Sequence, residues 1–376
     1  MQTIAFYCDA NSIEANALHQ LQEYARRPYI NTICAFTDIH YCTEKALPVG
    51  VAFHTNDYVY PLITGKDIGC GVMYLKINKA HWLKPFDKTT HYKAFCLAHT
   101  QMTDDGLGGG NHFLSIEEDA DNVYIICHTG TRNRGIALYQ QCLELTRKYA
   151  LESGSQGDYL HRDFLTPAFI RYYEDTLAFG YQRRKNFCLK SMIFLQMAGY
   201  LRCDKNSIDR QYLQLDYSQA AATGQLYNTP YTLEDSIHNH LRFTADGIMH
   251  RKGSTEISPG KTVVIPLSMS RGSLLVLIRD EYSAAQALNS CAHGAGRKLS
   301  RYNAMKHWKT VLKEKQRRAY KQQFSELLDK SGNFPQGYVQ EFDFAYKDAS
   351  DILQHQPYLR LVTHTTPVVT VKYTEI

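Results

Sequence analysis

Ser290-Cys-Ala-His293-Gly-Ala-Gly-Arg297-Lys-Leu-Ser300-Arg301 sets one histidine in front of two glycines and two arginines. Glycine lets the backbone approach an anion closely and supplies positive φ where a turn needs it, and a helix starting just behind adds N–H donors and positive potential. The stretch is therefore built as a seat for phosphate beside a reactive imidazole. From Arg297 to Lys321 ten Lys and Arg stand against one acidic residue, Glu314. That field suits a polyanion, although the whole chain carries only +5. Leu299, Tyr302, Met305, Trp308 and Leu312 share one stripe beneath these charges, so the spacing predicts a basic amphipathic helix. A histidine in a glycine turn is commonly structural, and its chemistry depends on what else the chain supplies.

At 376 residues and 44% hydrophobic content the chain can bury a sizeable core and is neither disordered nor fibrous. Its opening, Met1-Gln-Thr-Ile-Ala-Phe-Tyr-Cys-Asp, lacks a basic region followed by an apolar one, and no stretch is apolar enough to cross a bilayer, so a soluble, cytoplasmic protein without membrane attachment is expected. Ten scattered cysteines without close pairs or CxxC spacing argue against a disulfide framework or a zinc ribbon. No internal repeat, low-complexity segment or linker interrupts residues 1–376, which predicts one continuous domain.

Upstream, residues 3–8 read as a strand, and Asn11-Ser-Ile-Glu14 reads as a cap opening a helix that runs to Arg26-Arg27-Pro28. A buried strand over 30–36 leads into Thr37-Asp38-Ile39-His40, where Asp38 and His40 alternate and can share a face. Asp67-Ile-Gly-Cys70 brackets a glycine turn feeding an apolar strand, at a spacing that lets a carboxylate and a thiolate reach one ion. Gly106–Gly110 ends on Asn111-His112 entering a strand, and Val123–Cys127 ends on His128-Thr-Gly-Thr-Arg132. Two strand-end histidines beside glycine turns repeat one device. Residues 136–205 read as mainly helical. Then come Ile237-His238-Asn239, hairpin character around Asp246-Gly247, and the turn Ser268-Met-Ser270-Arg271-Gly272-Ser273, whose hydroxyls, N–H groups and arginine suit a nucleotide phosphate.

Asp67, Cys70, His112, His128 and His238 are too rich a set for one closed structural zinc site. They suit two adjacent divalent ions sharing a ligand, an arrangement that clamps attacking and leaving oxygens in phosphoryl transfer. Donor softness allows zinc, cobalt or manganese.

Asp67-Ile-Gly-Cys-Gly71, Gly109-Gly-Asn-His-Phe113, His128-Thr-Gly-Thr-Arg132, His238-Asn239, His250-Arg-Lys-Gly-Ser254 and His293-Gly-Ala-Gly-Arg297 together resemble, in order, the motifs of the RtcB family of tRNA-splicing and RNA-repair ligases. The resemblance implies an α+β fold with central mixed sheets around a dinuclear site and flanking helices. It implies a ligase using GTP and two Mn²⁺ ions to join RNA bearing a 2′,3′-cyclic phosphate or 3′-phosphate to a 5′-hydroxyl end. The position matching His293 would carry GMP, Asp67, Cys70, His112, His128 and His238 would hold the ions, and Asn111, Ser268, Ser270, Arg297 and Lys372 would contact the nucleotide. The chain is short for the family and departs from it at Ser115, where a glutamate commonly contacts guanine. Either Glu117, two residues on along the same strand face, takes that place or guanine selectivity is weaker. A dinuclear phosphoesterase that stops at opening the cyclic phosphate is the competing expectation.

Overall fold

The computed structural model describes residues 3–42, 47–100, 106–155, 158–202, 225–226 and 229–372. Two apolar runs, Gly71-Val-Met-Tyr-Leu-Lys-Ile-Asn78 and Asn122-Val-Tyr-Ile-Ile-Cys-His-Thr129, are buried along most of their length and take inner positions in a five-stranded sheet. Its order is β7 (Thr232–Ile237), β4 (Gly71–Asn78), β6 (Asn122–Thr129), β5 (Phe113–Glu118) and β15 (Thr366–Val371), antiparallel throughout. The pairings Ile237↔Gly71, Gly71↔Thr129, Phe113↔His128 and Val371↔Leu114 bring one end of every strand to the same side. Cys70, His112, His238 and Lys372 each lie one residue outside a strand at that end, and His128 lies one residue inside it.

A second five-stranded sheet runs β1 (Thr3–Tyr7), β2 (Ile30–His40), β3 (Val49–Thr55), β9 (Gly247–Lys252) and β8 (Asn239–Thr244). Its β1–β2 pair is parallel and the rest antiparallel, as the expected mixed architecture requires. Only His238 separates β7 of the first sheet from β8 of the second, so a ligand candidate sits at the junction of the two. The hairpin expected around Asp246-Gly247 joins β8 to β9, with Thr244 opposite Gly247. A three-stranded sheet of β11 (Val263–Ser268), β12 (Gly272–Ile278) and β14 (Leu359–His364), and the pair β10 (Ser254–Glu256) with β13 (Ser290–Ala292), complete the frame around the site.

The helical segment consists of α3 (Asn133–Ser153) and α4 (Pro167–Met197), with a short strand and a 3-10 turn between them; residues 203–205 fall outside the described ones. Thr166 caps α4 by accepting the Phe169 N–H at 3.1 Å, and Pro167 occupies the first turn, where its missing N–H is harmless. Phe187, Cys188, Met192 and Leu195 of α4 bury into one cluster with Met73, Leu75, Ile125 and Cys127 from the first sheet and Phe95 and Cys96 of α2 (Lys88–Thr100).

Two local expectations are corrected. Asn11 does not cap the first helix: Asp9 accepts the Asn11 N–H at 2.9 Å and starts a 3-10 turn, and α1 begins only at Ala15 (Ala15–Ala25). The basic segment is two helices, α5 (Arg301–Thr310) and α6 (Glu314–Gln323). Gln316 reaches back to accept the Lys313 N–H at 2.9 Å, and Arg317 donates to the Trp308 and Lys309 carbonyls at 3.2 and 3.3 Å, so side chains satisfy the backbone on both sides of the break. Met305 and Trp308 pack on the core, whereas Tyr302 is 78% exposed. Among the described residues no helix is long and apolar enough to cross a membrane.

Candidate metal and nucleotide site

The turn from Asp67 to Cys70 closes with the Cys70 N–H on the Asp67 carbonyl at 3.1 Å. Asn239 stitches it to the second sheet, accepting the Gly69 N–H on its carbonyl and the Gly253 N–H on its side-chain oxygen, both at 2.7 Å. Cys70 Sγ then lies 3.4 Å from His112 Nε2 and 3.3 Å from His128 Nε2. His128 Nε2 lies 3.2 Å from His238 Nε2, and Asp67 Oδ2 lies 3.4 Å from His112 Nε2. Two groups result, Asp67–Cys70–His112 and Cys70–His128–His238, each with donor atoms within 4.8 Å of one another and sharing Cys70.

This cluster cannot satisfy itself. Two imidazole nitrogens meet one thiol, a third imidazole nitrogen faces one of these two, and the Nδ1 atoms of His112 and His238 are buried without a partner among the described residues. Burial pushes His128 and His238 well below the usual histidine range, which keeps them neutral and ligand-competent. Burial opposes ionisation of Asp67, yet its contacts with His112 and Cys70 bring it down to about 2. Burial and the Asp67 charge push the Cys70 thiol up, a penalty that a bound cation reverses. Nitrogen, sulfur and carboxylate donors in two groups around one thiolate fit two divalent ions.

His293 follows β13 and is held from the end of β2. Asp38 Oδ2 accepts the backbone N–H groups of His293 and Gly294 at 2.9 and 3.1 Å and also meets His293 Nδ1. Nδ1 is thereby engaged by Asp38, and the Gly253 backbone hydrogen-bonds the ring as well. Burial opposes protonation of His293, but the charge and hydrogen bond of Asp38 outweigh it and raise its pKa. The rings of His293 and His238 have centroids 4.8 Å apart, so the imidazole stands directly beside the donor cluster. The backbone here demands glycine: a Cβ on Gly296, at φ +75°, would fall 2.7 Å from Asp38 Cα.

Asp38, Asp67, His128, His238 and His293 line a cavity of about 560 Å³ together with Asn111, Ser268, Arg297, Arg301, Glu341 and Lys372. Glu341 Oε1 lies 3.6 Å from Arg297, 4.0 Å from Arg301 and 3.3 Å from Lys372, and its other oxygen accepts from the Tyr346 hydroxyl. Arg297 stacks over Tyr346 at 4.9 Å, and its buried Nη2 has no partner among the described residues. Glu117 lines the same cavity at 3% exposure, accepting from the hydroxyls of Ser115 at 2.7 Å, Ser273 at 3.2 Å and Thr365 at 2.5 Å.

The structure thus brings Asp67, Cys70, His112, His128, His238 and His293 together, with Asn111, Ser268, Arg297 and Lys372 around the cavity. Ser270 turns aside, donating to Asp343 at 3.0 Å and accepting the Asp343 N–H at 3.1 Å. His250, from the fifth quoted motif, stacks on Phe53 at 4.2 Å and accepts the Tyr60 N–H. Sequence reasoning did not find the grip of Asp38 on His293, whose only signal was its alternation with His40. It missed Glu341 altogether, because Gln340-Glu341-Phe342 carries no motif.

A sequence profile described as tRNA-splicing ligase RtcB matches residues 87–373. RNA-splicing ligase RtcB2 of Escherichia coli is 26% identical over 326 residues, spanning 77% of this chain and 74% of that protein. RNA-splicing ligase RtcB of Escherichia coli K12 is 24% identical over 354 residues, spanning 78% and 81%. The tRNA-splicing ligase RtcB of Methanocaldococcus jannaschii is 29% identical over 248 residues, spanning 56% of this chain and 24% of that protein. With the profile covering most of its length, the chain belongs to the RtcB family.

Proposed function

We propose that the protein is an RNA ligase that joins a 2′,3′-cyclic phosphate or 3′-phosphate end to a 5′-hydroxyl end, using GTP and two Mn²⁺ ions. The observation that carries this reading is the placement of a tethered histidine, outside both donor groups, beside two groups that share one thiolate. Bound divalent ions would neutralise triphosphate charge beside His293. His293, with Nδ1 held by Asp38, presents Nε2 to the α-phosphorus; the P–N bond forms as the bond to pyrophosphate breaks. A 2′,3′-cyclic phosphate end is first opened by water, which breaks the P–O2′ bond and leaves a 3′-phosphate; that phosphate takes GMP from His293, and the 5′-hydroxyl displaces GMP to close the phosphodiester. Arg297 and Lys372 serve the nucleotide, with Asn111 and Ser268 on the same cavity wall.

Glu117 takes the base-reading role left open by Ser115. Its carboxylate faces the cavity and suits paired N–H donors such as those of guanine, while the Ser115 hydroxyl holds it in place. Basic residues on α5 and α6 hold RNA phosphates.

Incubation with α-labelled GTP and Mn²⁺ tests the reading. Acid-labile, alkali-stable label that disappears in His293→Ala is expected. Opening of a cyclic phosphate with no labelled protein under any metal condition would identify a phosphoesterase instead.

A further inference from the structure

We infer that the buried Arg184–Asp235 pair is a positioning device for the metal centre, setting the relative placement of the three segments that carry Cys70, His128 and His238. The inference rests on the proposed role of those residues as metal ligands. Arg184 projects from α4 with no side-chain exposure and makes a two-pronged contact to Asp235, Nε to Oδ1 at 2.6 Å and Nη2 to Oδ2 at 2.8 Å. Its Nη1 donates to the carbonyls of Gly69 at 2.8 Å and Thr129 at 3.0 Å. Gly69 precedes Cys70, Thr129 follows His128, and Asp235 lies three residues before His238 on β7. One planar guanidinium therefore reaches each of the three ligand-bearing segments through backbone or carboxylate groups whose positions are tied to the strands.

The surroundings are shaped for it. A Cβ on Gly71 would stand 2.5 Å from the Ser236 carbonyl and 3.1 Å from Arg184 Cζ, and one on Gly180 would stand 2.9 Å from the Gly69 carbonyl and 3.3 Å from Nη1, so these glycines let strand, helix and guanidinium approach one another. A helix-to-sheet tether needs no such convergence: elsewhere α4 meets the same sheet through apolar side chains such as Phe187 and Cys188.

Titration of metal-free protein with Co²⁺, followed by the sulfur-to-cobalt charge-transfer band and the visible bands, tests the role. The unaltered protein is expected to develop the sulfur band and to saturate at two ions. R184M/D235L replaces the pair by apolar side chains and leaves no buried charge unpaired. It is expected to keep its fold, judged by circular dichroism, while Co²⁺ affinity falls by roughly 10- to 100-fold, the range for lost outer-shell partners. R184K keeps the charge but lacks the fork, and is expected to show the same loss of affinity with altered visible bands. Affinity and spectrum like those of the unaltered protein in a folded R184M/D235L would overturn the inference; if that variant does not fold, R184K decides by the same measurement. Absence of the sulfur band in the unaltered protein would sink the metal assignment itself, and the positioning role with it.

Discussion

On the metal side of the cavity the donors sit on strand ends and one glycine turn, packed so closely that a Cβ on Gly130 would come within 2.3 Å of Asp67 Oδ1. On the proposed nucleotide side Arg297, Arg301 and Lys372 arrive from a loop, a helix start and a strand end and meet at one carboxylate, Glu341, 3.3 to 4.0 Å away. The first wall is held by backbone, with short side chains and no slack. The second is held by charge balance among long side chains. Loss on the first side should be abrupt, whereas loss on the second should be graded.

Cys70→Ala gives the sharpest contrast, because it removes the donor common to both groups. Divalent-ion affinity is expected to fall beyond the roughly 100-fold seen when only outer-shell partners are lost, and protein labelling should vanish. Full metal content by elemental analysis after dialysis would break the comparison. Asp38→Asn tests the junction between the walls: labelling is expected to slow on the order of 100-fold, with metal content intact, and loss of metal alongside rate would assign Asp38 to the wrong side.

Glu117→Gln is a change on the graded side. An amide cannot accept both donors of a guanine edge, so the preference for GTP over ATP should fall about 10-fold or more, measured by competitive labelling. An unchanged preference would show that another group reads the base. The smallest effect is expected from K309A/K315A/R318A on α5 and α6. RNA affinity should weaken moderately, and the slope of log affinity against log salt should drop by about 2 to 3; an unaltered slope would place the RNA elsewhere.

The same contrast explains what could be read without coordinates. Cys70, His112, His128 and His238 were legible because cysteine and histidine are chemically distinctive and stand where glycines break apolar runs. The strands at 71–78 and 122–129 were legible because each holds a nearly unbroken apolar run. The proposed nucleotide wall uses residues common on any surface, so only the fold brings Glu341 to Arg297 and Lys372. The break between α5 and α6 was hidden because Leu312 continues the apolar stripe through it, and the deciding groups, Gln316 and Arg317, act through backbone contacts that periodicity does not register. The grip of Asp38 on His293 spans 255 positions, beyond any local pattern.

Glu341 has a further consequence for the energetics of loading the cavity. Its carboxylate already occupies the field of three cations, so an arriving triphosphate exchanges one anion for another rather than filling a bare positive site. In such an ion exchange few dissolved salt ions are released, and nucleotide affinity should depend on ionic strength less steeply than RNA affinity. Parallel salt titrations of the two ligands would reveal the difference, and Glu341→Gln should steepen the nucleotide's slope toward that of the RNA.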